Sequence, residues 1–158
     1  MCNRSFGHNV PIINGSEQAV GPEFQSEYFR SDGKGKVELS FAGAYEMDAN
    51  WKLKRVVESY EEDETLLITD TICSVNDISL EERLITQIEP VVLEDKIVLK
   101  GQKGSLDIQI TEAYKSVRVE KEIFHNHRGK DEDVWLITFP VTVNAGNGEC
   151  QINCKYNK

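Results

Sequence analysis

The chain has 158 residues, of which 39% are hydrophobic and 28% charged, and its formal net charge is −9. These values are typical of one globular domain with a sizeable core, and they exclude a disordered chain. The acidic charge argues against a nucleic-acid partner, because phosphate binding needs clustered Lys and Arg. No apolar stretch approaches the roughly 20 residues that cross a bilayer, so we expect no membrane partner.

The first notable stretch places a lone histidine in front of a turn. Residues 7–21 read GHNVPIINGSEQAVG, in which His8 and Asn9 precede a short apolar run and the dipeptide Asn14-Gly15. A histidine in this place can ligate a metal, face a sugar or serve as a surface residue. The opening MCNRSFGHN contains no apolar segment of a secretory signal, and the compartment stays undetermined.

Most of the remaining sequence alternates between apolar and polar residues with a period of two. Residues 36–41 alternate in this way, as do residues 51–54 and residues 106–110. This period is typical of strands with one face in a core and the other in water. Turn signals separate the strands at Asn14-Gly15, Gly21-Pro22, 31–35, 48–50, Glu94-Asp95, 101–104, 128–130 and 146–148.

One segment is ambiguous between helix and strand. Over residues 79–88, Leu80, Leu84 and Ile88 would form a helical stripe, whereas the β-branched Ile85 and Thr86 and the following Pro90 favour a strand. We interpret it as a strand. About ten to twelve strands without a long crossover helix then predict an all-β fold, an antiparallel β-sandwich, with residues 1–158 forming a single domain.

Neither the acidic run nor the cysteines predict a metal site. The run from Glu58 to Glu64 lacks the spacing of a calcium loop and is interpreted as a solvated turn. Cys150 and Cys154 would share a strand face about 13 Å apart, too far for a disulfide. We expect reduced thiols at all four cysteines, Cys2, Cys73, Cys150 and Cys154.

No complete catalytic constellation can be recognised, and no catalytic residue is assigned. His125 and His127 would point to one face of a strand, but a zinc site needs further ligands, so a hairpin tip is the simpler interpretation. Six aromatic residues are candidates for stacking on sugar rings, although most should belong to the core or its rim. They are Tyr28, Tyr45, Trp51, Tyr60, Tyr114 and Trp135.

The opening motif resembles that of a known family. His8-Asn9, Asn14-Gly15 and Gln18 are similar to the HN-x-x-x-x-(N/D)-G-x-x-Q pattern of heparinase II/III-like proteins. Later features follow in the family's order: Ala44-Tyr45, then Arg55, the run Leu67-Ile68-Thr69-Asp70, Pro90 and a strand at Trp135. The resemblance covers essentially the whole chain, and its opening motif is the most specific part.

The resemblance implies a polysaccharide lyase. In that family an N-terminal helical toroid and a β-sheet region clasp a uronic-acid-containing glycan, which is cleaved by β-elimination with a tyrosine and histidines as base and acid. Those groups lie mostly ahead of where this chain starts. We therefore expect a C-terminal fragment that is inactive alone, that holds no cofactor and that meets a polysaccharide through a toroid outside this chain.

The resemblance also suggests roles for three residues. It implies that His8 helps to hold a structural metal ion, zinc or calcium, only in the full-length parent, and that Asn9 and Tyr45 belong to the substrate-binding side. An apolar face left without its toroid leads us to expect a homodimer. Two alternatives stay open, a stand-alone carbohydrate-binding module and a structural or interaction module.

Overall fold

The computed structural model describes residues 5–47, 50–109, 116–126 and 128–158. Within them lie three short 3₁₀ turns, at Ser5–Gly7, Ala42–Ala44 and Glu61–Asp63, and twelve β-strands. The strands are β1 (Ile12–Ile13), β2 (Tyr28–Ser31), β3 (Lys36–Ser40), β4 (Lys52–Tyr60), β5 (Thr65–Ser74), β6 (Ile78–Thr86), β7 (Pro90–Val92), β8 (Lys96–Lys100), β9 (Ser105–Gln109), β10 (Arg118–His125), β11 (Asp131–Val143) and β12 (Gly146–Asn157).

The strands form two antiparallel sheets packed as a sandwich. The smaller sheet has the order β1-β6-β11-β10, and the larger one has the order β2-β3-β4-β5-β12-β9-β8-β7. The predicted all-β antiparallel sandwich of ten to twelve strands is thereby confirmed, and the ambiguous segment is strand β6. Among the described residues there is no helix long and apolar enough to cross a membrane.

The core follows from the alternation read in the sequence. On β6, Ile78 and Leu80 face inward and are at most 1% exposed, while Ser79 between them faces solvent. Leu53 on β4 is fully buried opposite Ile72 on β5. Burying each such aliphatic side chain contributes about 1.5–3 kcal/mol, so this contiguous apolar layer is the main source of stability.

The predicted turn at Asn14-Gly15 is confirmed and fixes the start of the domain. Asn14 and Gly15 have φ angles of 50° and 76°, the left-handed pair that a tight two-residue hairpin requires. Ile13 and Ser16 bond across it in both directions. The Asn14 side-chain oxygen accepts a hydrogen bond from the Ser79 N–H at 2.9 Å, which ties the turn to β6.

The turn predicted at residues 146–148 is wrong, because β12 already begins at Gly146. The chain reverses instead at Asn144 and Ala145, where the Ala145 N–H donates to Asp77 Oδ1 at 2.8 Å. Gly148 serves packing: a Cβ there would lie 2.3 Å from Cγ1 of Val143. The other turn predictions fall between strands or in the loops around β1, except that residues 48 and 49 lie outside the described part.

Glu61 to Glu64 of the acidic run form the connection between β4 and β5, while Glu58 lies on β4. Glu61–Asp63 is a short 3₁₀ turn with no buried residue, and Glu64 closes it in the left-handed conformation, with φ of 52°. The predicted solvated turn is confirmed. On β12, Cys150 and Cys154 lie buried on one face, and neither is in a disulfide, as expected.

Candidate functional site

The segment that contains His8 runs beside the residues that follow the turn after β1. The Ser5 hydroxyl oxygen accepts a hydrogen bond from the Gln18 N–H at 2.9 Å. The Phe6 N–H donates to the Glu17 carboxylate at 3.0 Å. The residues just before the motif therefore lie beside its last residues, and His8 is exposed.

Asn9 fastens this segment to both sheets. Its side-chain oxygen accepts a hydrogen bond from the Ile85 N–H of β6 at 2.8 Å. Its backbone carbonyl accepts a second one from Nη1 of Arg55 on β4 at 2.6 Å. The amide side chain thus bonds to the edge of β6 just ahead of the start of β1, which gives Asn9 a structural role in the motif.

Tyr45 lies in the core directly behind the same segment. It is 3% exposed, its hydroxyl donates to the Pro11 carbonyl oxygen at 2.6 Å, and its ring meets the edge of Trp51 with centroids 5.7 Å apart. Burial, followed by the charge of Glu82, raises the pKa of the Tyr45 hydroxyl. Its predicted role in substrate binding stays a prediction. In the structure Tyr45 is a buried residue that anchors the backbone at Pro11.

A buried charge cluster, formed by Arg55, Asp70 and Glu82, lies under the motif. Arg55 Nε and Nη2 donate to the two oxygens of Asp70 at 2.7 and 2.6 Å, and Nη2 also donates to Glu82 Oε2 at 3.0 Å. The side chains of both acids are 2% exposed and that of Arg55 is 12% exposed. The fork pairing with Asp70 is the geometry in which Arg–carboxylate bonds are strongest.

Strand register explains why these three charges meet. Arg55 stands opposite Asp70 across the β4–β5 ladder, and both positions have the parity that faces the core. Glu82 has the inward parity of β6, in the series that begins with Ile78 and Leu80. The two sheets therefore bring one cation and two carboxyl groups into a single apolar layer.

Electrostatics inside the cluster is unbalanced, since one guanidinium faces two acids. Burial, and then the charge of Asp70, hold the pKa of the Glu82 carboxyl well above its ordinary value, although Arg55 opposes this. Burial alone would lower the pKa of Arg55. The hydrogen bond and charge of Asp70 and the charge of Glu82 outweigh this effect, so the pKa of Arg55 is raised above its ordinary value. Arg55 is therefore permanently charged, and Glu82 is the member most easily neutralised.

The donor side chains in the described ranges do not form a site for the implied metal ion. The part of the chain that the structure describes contains no group of three or more His, Cys, Asp or Glu side chains that could hold a metal. His8 lies exposed, and a structural zinc normally needs about four ligands. Of the pair considered for zinc, His125 bonds instead through Nδ1 to Asp131, and His127 lies outside the described residues.

An open cavity of about 410 Å³ lies at one end of the sandwich. Trp51 is the aromatic residue of its lining, and its amide and acid groups come from three connections between strands. Those groups are Asn14, Asn50 and Asn76, with Glu46 and Asp77. An aromatic face beside amides and carboxylates is chemically suited to an uncharged sugar, and the acids disfavour an anionic one.

A second surface feature is the apolar rim at the edge of the larger sheet. Strand β7 is the last strand of that sheet, and Val91, Val92 and Leu93 are 43%, 49% and 45% exposed. An apolar edge strand of this kind can pair with another chain. The expected homodimer stays a prediction, and this edge is where it would be sought.

The structure brings two of the residues singled out in the sequence, Asn9 and Tyr45, to the same segment. Tyr45 bonds to Pro11, two residues after Asn9, and Arg55 bonds to Asn9 directly. Glu82 was missed, although the alternation of β6 places a charged residue at an inward position. That conflict between residue type and parity is the signal that could have found the cluster.

Comparisons with known proteins support the fold. No model of a known protein family matches the chain, and neither does any curated protein. Among solved structures, heparan sulfate lyase HepC from Pedobacter heparinus matches 96% of this chain with a TM-score of 0.64 at 14% identity. A mutant of the same lyase gives a TM-score of 0.60 at 13% identity, again over 96% of this chain.

A heparinase III with methylated lysines matches 94% of this chain with a TM-score of 0.66 at 14% identity. The chain spans about a quarter of these proteins, 24% of the two Pedobacter heparinus chains and 23% of the third. Identities this low are evidence of shared architecture only. The chain thus has a heparinase-like fold, a β-sandwich like one portion of the much longer heparan sulfate lyases.

Proposed function

We propose that residues 1–158 form the C-terminal β-sandwich domain of a heparinase II/III-like polysaccharide lyase, which cleaves uronic-acid-containing glycans by β-elimination. The observation that carries this proposal is the fold likeness to heparan sulfate lyases over 94–96% of the chain. The HN motif adds support, because its histidine is exposed on a segment that the sandwich holds by hydrogen bonds from Arg55, Ile85 and Tyr45.

In this proposal the present chain supplies a scaffold and part of a cleft wall. β-Elimination needs a base within hydrogen-bonding reach of the C5 proton and a group that neutralises the sugar carboxylate. Tyr45 is buried and its hydroxyl bonds to a backbone carbonyl, so it does not offer a base to solvent. A structural metal bound by His8, if the parent has one, would take its other ligands from elsewhere in the parent.

The test is a lyase assay with this chain alone on heparan sulfate, heparin and alginate, followed by the absorbance of the unsaturated product. We expect no product from the isolated chain. We expect product from a longer form of the gene product, if the upstream reading frame encodes helical segments that can be expressed with it. Robust turnover by residues 1–158 alone would contradict the scaffold role, and inactivity of the longer form on all uronates would contradict the lyase assignment.

A second candidate is a glycan-binding module, and the cavity beside Trp51 is the observation in its favour. Because Trp51 also packs on Tyr45, the informative variants are Asn50→Ala and Asn76→Ala, which change the cavity lining and leave the aromatic pair intact. Trp135→Ala, on the other sheet, is the control for nonspecific aromatic binding. Binding to neutral glycans on an array that is lost in the two Asn variants and kept in the control would favour this candidate, and an array without binding would oppose it.

A further inference from the structure

The buried charge cluster contains an oxygen atom without a donor. Glu82 Oε2 accepts from Arg55, but Glu82 Oε1 is buried and has no hydrogen-bond partner among the described residues. An ionised carboxylate has no proton to donate and needs donors at both oxygens, so a buried oxygen without a donor is costly. A protonated Glu82 would resolve this, because it becomes a donor itself.

Asp70 offers an acceptor for such a proton, because it shares Arg55 with Glu82. Arg55 Nη2 bonds to one oxygen of each acid, at 2.6 Å for Asp70 and 3.0 Å for Glu82, so the two carboxyl groups lie against the same nitrogen atom. Two ionised carboxylates repel at such a separation, whereas an acid and a carboxylate can share one proton. Tyr45, Cys150 and Cys154 are further ionisable groups in the described core, and none of them carries positive charge.

The same cluster holds the HN segment. The third donor nitrogen of Arg55, Nη1, bonds to the Asn9 carbonyl at 2.6 Å, and the Asn9 side chain in turn receives the Ile85 N–H. Arg55 can point Nη1 at Asn9 because Asp70 fixes its other two nitrogens. The direction of the guanidinium therefore determines where residue 9, and with it the neighbouring His8, is placed.

We propose that Glu82 carries a proton at neutral pH and donates it to Asp70, and that the resulting singly charged pair holds Arg55 as the positioning residue of the His8–Asn9 segment. The cluster is then a net neutral unit of one cation, one anion and one acid. This role does not depend on the proposed lyase function, since it concerns how the segment is held in this chain. Loss of the buried proton would leave an uncompensated negative charge beside Asp70 and loosen the anchor.

The first experiment locates the proton. Wild-type protein with ¹³C-labelled carboxyl groups is titrated by NMR, and its infrared spectrum is compared with those of Glu82→Gln and the control Glu120→Gln, which removes an exposed acid on β10. We expect one protonated carboxylic acid at pH 7 in wild type and Glu120→Gln, absent from Glu82→Gln. Only ionised carboxylates in wild type at pH 7 would overturn the proposal, whether or not Glu82→Gln folds.

The second experiment uses linkage. A carboxyl group with a raised pKa in the folded state binds more protons folded than unfolded, so its contribution to stability falls as the pH rises. The folded-to-unfolded ratio of wild type, divided by that of Glu82→Gln, should drop by up to tenfold per pH unit above about pH 4.3. Divided by that of Glu120→Gln, it should stay flat. Parallel curves for wild type and Glu82→Gln would refute the assignment.

The third experiment tests positioning with Arg55→Lys, which keeps the positive charge but lacks the planar fork. We expect amide exchange of Ile85, the donor to Asn9, to rise about tenfold or more, while that of Ile152 in the larger sheet stays unchanged. Shifted Asn9 side-chain signals should accompany it. An Ile85 amide as protected as in wild type would show that Arg55 does not position the segment.

Discussion

Two groups of hydrogen-bonded ionisable side chains in this molecule lie in opposite surroundings. Arg55 with Asp70 and Glu82 lies between the sheets, with side chains 12%, 2% and 2% exposed. His125 with Asp131 lies at the tip of the β10–β11 hairpin, with side chains 76% and 63% exposed. In the sequence the hairpin was the more obvious candidate for a metal site, because it contains two of the three histidines. In the structure, the buried cluster is the one that holds the HN motif.

The difference between them is one of solvent. An exposed pair exchanges water contacts for an attraction that solvent and salt screen, so it contributes little to the free energy of unfolding. A buried pair has lost its hydration, so each partner depends on the other, and the removal of one leaves an uncompensated charge in an apolar layer. Substitutions in the two regions should therefore change the free energy of unfolding by very different amounts.

Arg55→Ala should have the largest effect. It leaves Asp70 buried without its two donors and frees the Asn9 carbonyl, and we expect the free energy of unfolding to drop by about 3–5 kcal/mol. Because Asp70 must then take up a proton to stay buried, the loss should grow as the pH rises from 5 to 8. Urea unfolding at several pH values measures this.

Arg118→Ala is the matched control for that substitution, since Arg118 is 53% exposed and bonds to Glu81 at the surface. It should unfold close to wild type at every pH. If the two arginine variants were equally stable, the buried cluster would carry no more weight than a surface pair, and the contrast between the two regions would collapse.

Sequence reasoning reached the fold more completely than the cluster. Alternation over β6 and the left-handed Asn14-Gly15 turn are local signals, which act within a few residues, and both were predicted correctly. The turn prediction for residues 146–148 failed because Gly148 is present for a different reason: a larger side chain there would collide with Val143. Such a tertiary contact cannot be inferred from the glycine content of the sequence. The Arg55–Asp70–Glu82 contact joins three strands from two sheets, so it depends on a register that a single sequence does not specify.

Tyr45→Phe should come second. The change keeps the ring on Trp51 and removes only the hydroxyl, which leaves the Pro11 carbonyl without its buried donor. We expect a loss of about 1–3 kcal/mol in the free energy of unfolding. Tyr28→Phe is the control, because its hydroxyl bonds to Glu38 at the surface, and its effect should be clearly smaller. Equal effects would mean that Tyr45 does not anchor the segment.

Asn9→Ala should have a smaller effect than Tyr45→Phe. It removes one hydrogen bond, from the Ile85 N–H, at a site near solvent, where water can replace part of it. A loss of about 0.5–1.5 kcal/mol is expected. Asn9→Asp retains an acceptor oxygen and should recover most of it, which an assay of thermal unfolding can resolve. No recovery in Asn9→Asp would argue that the oxygen atom alone does not hold the segment and that the amide nitrogen contributes as well.

His125→Ala should have the smallest effect, and it tests the other half of the comparison. The imidazole bonds to Asp131 across the last rung of the β10–β11 ladder, where both side chains lie largely in water. Because solvent replaces the lost contact, we expect the same thermal midpoint as wild type at pH 5.5 and pH 7.5, and at low and high salt. Asp131→Asn should behave alike. A clear destabilisation that salt does not reduce would mean that the hairpin histidine has a partner beyond Asp131, and the metal interpretation of His125 would then have to be reopened.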